Sequence, residues 1–518
     1  MMLRQVKQPP VVWETLAALR LPRSESMRKL VLLLGLAVST VVTAQQYDLV
    51  LEGGRVMDPE ISLDAVRNVG IQGGKIVRIS SEPLTGRRVI HVSGLVVAPG
   101  FIDLHQHGQE LESQKVKALD GVTTGLELEI GVPDVAQFLK AKEGRSLIHY
   151  GTSASHAAAR AQVFGAPLRS ELQAHAGIPE ILPKSGPATD QPATPEQIEA
   201  ILKRLRAELD AGGLAVGMGI QYTPGATRLE VIEMFRLAAE RRLPVYTHLR
   251  SSGRLEPGSA IESVSEAIGA AAITGASLHI VHINSTCLRD SLECLSLVEG
   301  ARARGLDVTT EAYPYIAGMT SINSALFNPG WQDKLGISYG DLVLSDTGEH
   351  LTRGRFEELH SAGTTHWVLI FANTQQVVDQ VIPHPLVMIA SDGAAGHPRN
   401  AGTFSRVLRQ YVREKGTLTL MDALRKMTLM PAQMLERSTP AARQKGRLQE
   451  GADADIAVFA SGIITDRSTF EKPMEPSDGV RYLVVGGTVV VDGGKIVPDV
   501  FPGHALLGPG KAASGTNF

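Results

Sequence analysis

The chain has 518 residues, 43% of them hydrophobic, with 51 basic against 54 acidic residues and a formal net charge of −3. That length and apolar content allow one large domain plus a smaller one, and exclude a disordered or collagen-like chain. The even charge balance, without any block of Lys and Arg, excludes a phosphate-tracking surface and with it nucleic acid as a partner.

The first signal in chain order is an address. From Met27 the sequence runs Met-Arg-Lys, then almost wholly apolar from Leu30 to Val42, then Val42-Thr43-Ala44 before Gln45. A basic start, an apolar stretch and small residues at a cleavage point are the parts of a signal peptide. We read 1–44 as a signal region, with 27–44 the signal peptide and 1–26 an upstream extension before Met27. The chain is expected to be exported, periplasmic or secreted. Thirteen apolar residues fall short of the roughly 20 that span a bilayer, so the mature chain is expected to have no membrane span.

Residues 45–97 alternate short strands with turns: Tyr47–Glu52, Gly53-Gly54, Val69–Gln72, Gly73-Gly74, Lys75–Ile79 and Val89–Val92. The far end, 437–518, repeats the pattern in Asp455–Phe459, Arg481–Val485, Gly486-Gly487, Thr488–Asp492 and Gly493-Gly494. The matching turns predict that the two ends meet as halves of one small β-sandwich, with residues 98–436 inserted between them.

The inserted segment alternates strand and helix. Thr194-Pro195-Glu196-Gln197 offers a cap, a proline in the first turn and a Gln three residues after the cap; Ile198, Ile201, Leu202, Leu205 and Leu209 form one apolar stripe; Gly212-Gly213 stop the helix. The strand Leu214–Ile220 follows, and the same beat recurs in Val231–Arg241 into Pro244–His248, and in Ile261–Thr274 into Leu278–His282. Strand, helix, strand at this spacing predicts parallel βα units, hence an α/β fold: a (β/α)8 TIM-like barrel. Pro- and Ala-rich 177–193 reads as a surface loop, and 317–365 as an insertion over the barrel mouth. Cys287 and Cys294, seven apart in what reads as one helix, would stand about 10 Å apart along its axis as two buried thiols rather than a disulfide.

Five strand-end fragments carry the chemistry: Asp103-Leu-His-Gln-His107, Leu126-Glu-Leu-Glu129, Thr247-His-Leu-Arg250, Val281-His-Ile-Asn284 and Ser391-Asp-Gly393. They place His105, His107, Glu129, His248, His282 and Asp392 where a barrel of this kind builds its active site, at the C-terminal ends of its strands. Converging imidazoles and carboxylates suit a divalent transition metal, and a hydrolytic metal site needs an acid/base carboxylate beside it. The reading is a metal-dependent hydrolase. In Thr124–Ile130 the period of two directs Leu126 and Leu128 toward the helices and Glu127 and Glu129 into the barrel. His149, His156, His279 and His397 lie outside this pattern and read as ordinary polar or core residues.

The wording of these fragments resembles a known family. Leu95-Val-Val-Ala-Pro-Gly-Phe-Ile-Asp-Leu-His-Gln-His107 is similar to the first-strand signature of the amidohydrolase superfamily. Gly121-Val-Thr-Thr, Gly219–Gly225, Tyr246–Arg250, Glu311-Ala-Tyr-Pro-Tyr315, Ser391-Asp-Gly, His397–Phe404 and Gly446–Ile456 narrow the resemblance, over about residues 47–497, to the N-acyl-D-amino-acid deacylase (D-aminoacylase) group. The resemblance implies one or two zinc ions and a small-molecule N-acyl amino acid or short peptide as substrate, and it leaves oligomerisation open; a carboxylate in place of the family's thiolate would harden the site and admit manganese or cobalt. It makes His105, His107, His248 and His282 ligands and Asp392, which also stands in the metal set, the catalytic carboxylate that takes a proton from the activated water and passes it to the leaving amine. Tyr313 and Arg399 would face the substrate carboxylate, with Arg250 and Tyr222 as further pocket residues.

Two departures stand out. The deacylases of this group carry Asn-Cys-Gly after the second strand, the Cys being a ligand, where this chain has Glu129-Ile-Gly; Glu129 is expected to replace the thiolate, with Glu127 as runner-up. They also carry Lys two residues after the sixth-strand histidine, where this chain has Asn284. A dipeptidase or aminoacylase acting on L-residues, a cyclic-amide hydrolase and a non-catalytic metal-containing binding protein are the competing readings. The cyclic-amide class is disfavoured because Leu147–Thr152 and Leu214–Tyr222 lack the lysine that bridges metals there.

Overall fold

The computed structural model describes residues 46–166, 185–362 and 364–512. The expected signal region, 1–44, lies outside the described residues, as do residues 177–184 of the expected surface loop; Pro187–Asp190 within that loop form a short helical turn.

The chain opens with β1 (Gln46–Asp58), β2 (Leu63–Gln72), β3 (Lys75–Ser80), β4 (Thr85–His91) and β5 (Val96–Pro99). It then enters a ring of parallel strands: β6 (Phe101–Asp103), β7 (Val122–Val132), β8 (His149–Ser155), β9 (Val216–Gly219), β10 (Val245–His248), β11 (Leu278–Ile280) and β12 (Val308–Ala312). Three short strands, β13 (Gly318–Ser321), β14 (Leu342–Leu344) and β15 (Trp367–Ile370), interrupt the ring before β16 (Val387–Ile389) completes it. The eight ring strands pair in the order β16-β12-β11-β10-β9-β8-β7-β6, all parallel. Beyond the paired residues, the loop after β16 closes on the loop after β6: His107 N donates to Gly393 O at 2.8 Å, and Ser391 N to the Asp103 carboxylate at 2.9 Å. This is the (β/α)8 barrel, nearly closed.

The helices between ring strands form as their sequences dictate. Thr194 Oγ1 accepts from Gln197 N (3.3 Å) and Gln197 Oε1 from Thr194 N (2.9 Å), a reciprocal cap. Ile198, Ile201, Leu202, Leu205 and Leu209 are the buried residues of that helix, packed in the main core between helices and barrel.

After the barrel come β17 (Ile456–Phe459), β18 (Val480–Val485), β19 (Thr488–Asp492) and β20 (Lys495–Ile496). β17 pairs antiparallel with β5, from Ile456 opposite Pro99 to Phe459 opposite Val96, so both ends of the chain build one nine-stranded sheet. The turns of the two halves meet: Ala454 N donates to Gly74 O (2.9 Å) and Gly487 N to Ala454 O (3.0 Å). A Cβ on Gly487 would lie 2.7 Å from Gly74 Cα, so glycine is required at this approach. The sheet thus curls over one core containing Leu51, Val69, Ile76, Val97, Ile456, Val458 and Val484.

The insertion between β12 and β16 is a cap with its own small antiparallel sheet, β13-β15-β14. An aromatic cluster of Phe327, Trp331, Tyr339 and Phe356, with ring centroids 5.3–5.5 Å apart, holds it. The expected single helix across the cysteines is broken. Cys287 ends a short helix, Leu288 turns the chain at φ +50°, and Cys294 belongs to the next helix. The two free thiols therefore interact rather than stand apart on one axis, and burial, with the Cys294 thiol beside it, pushes the Cys287 thiol up.

Candidate metal centre

The side chains at the strand ends converge on a single carboxylate. Glu129, on β7, presents Oε1 to His248 Nδ1 (2.9 Å) and His282 Nε2 (3.0 Å), and Oε2 to His105 Nε2 (3.2 Å) and His107 Nε2 (3.3 Å). His105 Nε2 and His107 Nε2 are 3.1 Å apart, and Asp392 Oδ1 lies 3.4 and 3.2 Å from them. Among the described residues, three groups have donor atoms all within 4.8 Å of one another: His105–His107–Glu129, His105–His282–Asp392 and Glu129–His248–His282.

The outward nitrogen of each ring is already engaged. His105 Nδ1 meets Glu311 Oε1 (2.7 Å), His107 Nδ1 meets Glu127 Oε2 (2.6 Å), His248 Nε2 meets Gln221 Oε1 (2.7 Å) and His282 Nδ1 meets Thr286 Oγ1 (3.2 Å). An acceptor on the outer nitrogen places the ring proton there and leaves a lone pair facing inward, the state a metal-ligating imidazole requires. The donor set, four imidazoles and two carboxylates around two adjoining points, fits one or two divalent ions of the zinc class.

Electrostatics follow from the crowding. Burial disfavours charge on His105 and His107, but the surrounding carboxylates outweigh it and hold both imidazoles well above their usual range. The reciprocal effect holds the buried Glu129 well below the usual carboxylate range. Burial also opposes ionisation of Asp392, yet Arg399 and His105 keep it ionised far below its usual pKa. Backbone strain concentrates here: His282 has φ +29° and Asp392 φ +51°, left-handed values that non-glycine residues adopt at a cost of order 1–3 kcal/mol.

Glu127 is not the carboxylate among the imidazoles. It lies behind His107 and also accepts from Ile130 N at 3.2 Å. Leu126 and Leu128 are buried in one cluster with Ile102, Tyr246 and Met388 and with Ala432, Met434 and Leu435 of the helix Leu429–Leu435. The register of β7 shifts between Glu127 and Val132, so a strict period of two does not run through to Glu129.

Tyr222 and Tyr313 both line the cavity above the cluster, a space of about 660 Å³ including its open mouth. The Tyr222 ring lies 4.9 Å from the His248 ring. Tyr313 is buried with its hydroxyl unpaired inside the protein, and burial raises its pKa to about 12, so it stands as a neutral donor. Arg399 lies behind these groups: its guanidinium is 4.7 Å from the Tyr313 ring, and its NH1 is 2.8 Å from Asp392 Oδ2. Arg250 corrects the sequence expectation. It does not line this cavity; Glu266 (2.7 Å) and the Ala226 carbonyl (2.9 Å) draw its guanidinium away.

Sequence reasoning passed over Glu311 and Gln221. Glu311 Oε2 also meets His279 Nε2 (3.1 Å), whose Nδ1 meets Thr309 Oγ1 (2.8 Å), a buried chain that fixes the His105 ring. Its position two residues before Tyr313 was the available signal. Lys117, buried, pairs with Asp103 at 2.7 Å and also bonds Ser391 Oγ, tying the Asp392 loop to β6.

A profile of the amidohydrolase family matches residues 88–491. The chain belongs to the amidohydrolase family. It is 30% identical to the N-acyl-D-glutamate deacylase of Alcaligenes xylosoxydans xylosoxydans over 92% of this chain and 99% of the relative. To the D-aminoacylase of the same organism it is 27% identical, over 86% of this chain and 95% of the relative. Among solved structures, a D-aminoacylase superposes with a TM-score of 0.73 at 24% identity, covering 89% of this chain and 100% of that one. The N-acyl-D-glutamate deacylase of Bordetella bronchiseptica, complexed with zinc and a phosphonate mimic of the tetrahedral intermediate, does so with a TM-score of 0.74, 24% identity and the same 89% and 100% coverage. This amidohydrolase shares their fold.

Proposed function

We propose that this amidohydrolase is a zinc-dependent deacylase that cleaves the amide of N-acyl amino acids, with the D-series as its substrates. The observation that carries the reading is the placement of Asp392: its carboxylate faces His105 and His107 at 3.4 and 3.2 Å, in the lining of the cavity that opens over the cluster. His105, His107, His248, His282 and Glu129 would hold the ion or ions, with Asp392 alongside them. Bound zinc would supply Lewis-acid polarisation of the amide carbonyl and acidify the attacking water.

The protein's own groups do the rest. Asp392, kept ionised by Arg399, takes the proton from water and returns it to the leaving nitrogen. Tyr313 donates its hydroxyl proton in a hydrogen bond to substrate oxygen, and Arg399 beside it takes the α-carboxylate once the substrate enters. Glu311 and Glu127 hold the His105 and His107 rings. The deacylase relatives support the substrate class. A paired screen of N-acyl-D- and N-acyl-L-amino acids on zinc-loaded protein tests it: D-selective release of free amino acid is expected. Release from the L-series alone, or hydrolysis of cyclic amides alone, would replace the reading.

We propose also that the chain is exported, with a mature N-terminus near Gln45. N-terminal sequencing of protein secreted from a bacterial host is expected to begin there; an intact Met27 terminus in the cytosolic fraction would contradict it.

A further inference from the structure

The apolar lining of the cavity comes from the cap and the segment after His282. Ile316, Met319, Leu326, Leu335, Ile370 and Leu288 line it. Among the described residues, the charged or titratable groups lining the cavity, its three tyrosines apart, are His107, Glu129, His248, His282 and Asp392, all members of the metal cluster; no Lys or Arg is among them. The remaining polar lining, including Ser285, Thr286, Thr320 and Asn373, is neutral.

Among the described residues, the nearest cations are paired or line other space. Arg399, buried against Asp392 and the Tyr313 ring, is the group assigned above to the α-carboxylate and is not part of this wall. Arg228, Arg250 and Lys334 line an adjoining cavity that shares Gln221, Ser252, Leu326 and Leu335 with the first. There Arg250 is held by Glu266 at 2.7 Å, and Lys334 is exposed.

A carboxylate moved from water into such a wall loses its hydration and gains no partner, a penalty that apolar side chains do not meet. An apolar side chain gains from the same surface in proportion to the area it buries. We infer that this cavity selects substrates with a neutral, apolar side chain and rejects acidic ones, and that Met319 and Leu326 of the cap are specificity-determining residues. The inference rests on the deacylase reading. It separates this chain from what its 30% identity to an N-acyl-D-glutamate deacylase would suggest.

The test uses full-length zinc-loaded protein and compares kcat/KM for N-acetyl-D-leucine, N-acetyl-D-methionine and N-acetyl-D-glutamate. The apolar pair is expected to exceed the glutamate substrate by about 100-fold or more, the discrimination reached when a buried charge has no partner. Met319→Arg and Leu326→Arg, each adding a cation, are expected to move the glutamate-to-leucine ratio up by about tenfold, whereas the near-isosteric Met319→Gln leaves it in place. Efficient hydrolysis of N-acetyl-D-glutamate by the unaltered protein would overturn the inference while leaving the deacylase reading intact. An unchanged ratio in both arginine variants, folded by circular dichroism, would overturn the assignment of the cap residues. Absence of hydrolysis across all N-acyl-D-amino acids would remove the deacylase reading and the inference with it.

Discussion

This amidohydrolase contains two buried clusters built from the same residue types, one at each end of β8's barrel. At the end opposite the cavity, His149 at the start of β8 meets Asp455 Oδ1 through Nε2 (2.9 Å) and accepts from His504 N through Nδ1 (3.2 Å). Lys445 pairs with Asp455 Oδ2 (2.6 Å) and Asp453 Oδ2 (3.1 Å), and Gly486 N donates to Asp455 Oδ1 (2.8 Å). Each nitrogen and oxygen there has a partner within the protein, and the cation is a lysine. At the cavity end each outer nitrogen has its partner, while the inner nitrogens all face the Glu129 carboxylate, an arrangement that a bound cation would complete. The difference teaches that histidine and carboxylate content does not make a metal centre. What distinguishes it is outer nitrogens capped by acceptors and inner ones left to converge.

The largest effect that sharpens this contrast is on turnover. Asp392→Asn is nearly isosteric but cannot accept the proton, so kcat is expected to fall by about a hundredfold to ten-thousandfold with fold and metal retained, as steady-state kinetics and metal analysis would show. Near-normal kcat would remove Asp392 as the base.

The opposite cluster should respond in stability instead. Burial alone would raise the Asp455 pKa, but His149 and Lys445 hold it far below the usual range. A carboxylate with a depressed folded pKa stabilises above its unfolded value near 4 and loses that contribution as pH falls toward the folded value. Asp455→Asn is therefore expected to cost about 3 kcal/mol at pH 7 in denaturant unfolding, a gap that narrows below pH 4, while folded variant keeps its kcat. A selective loss of kcat without loss of stability would erase the distinction between the clusters.

A smaller effect probes the edge of the metal centre. Arg399→Ala is expected to raise KM by about tenfold for substrates with a free α-carboxylate and little for their amide analogues, since the paired contact exists only with the acid. Any loosening of Asp392 would lower kcat for both alike. An equal rise in KM for acid and amide would show that Arg399 serves Asp392 alone.

Much of the convergence was legible because the relevant residues end strands. His105 and His107 share a face by the two-residue period, and His248, His282 and Asp392 each follow a short apolar run. The meeting of the chain's two ends was legible in repeated Gly-Gly turns, which a close backbone approach explains at Gly74 and Gly487. What escaped depended on tertiary partners or local irregularity. Arg250 follows His248 at the same spacing that joins His105 to His107, but Glu266, on a helix sixteen residues on, captures it. The single helix expected across the cysteines failed at the turn at Leu288, which the sequence does not announce. Glu311 sat inside a quoted motif, yet its role depends on His105 and His279 reaching it from other strands.

The central claim is that Glu129 is the carboxylate on which the centre is built, and metal content tests it most directly. Glu129→Gln and Glu127→Gln, prepared side by side and measured by inductively coupled plasma mass spectrometry, should separate. Glu129→Gln is expected to lose bound zinc, because the amide cannot supply the charge facing four imidazoles. Glu127→Gln should retain most of it, weakened about 10- to 100-fold in affinity as for loss of an outer partner. Full metal in Glu129→Gln, or loss confined to Glu127→Gln, would contradict the account.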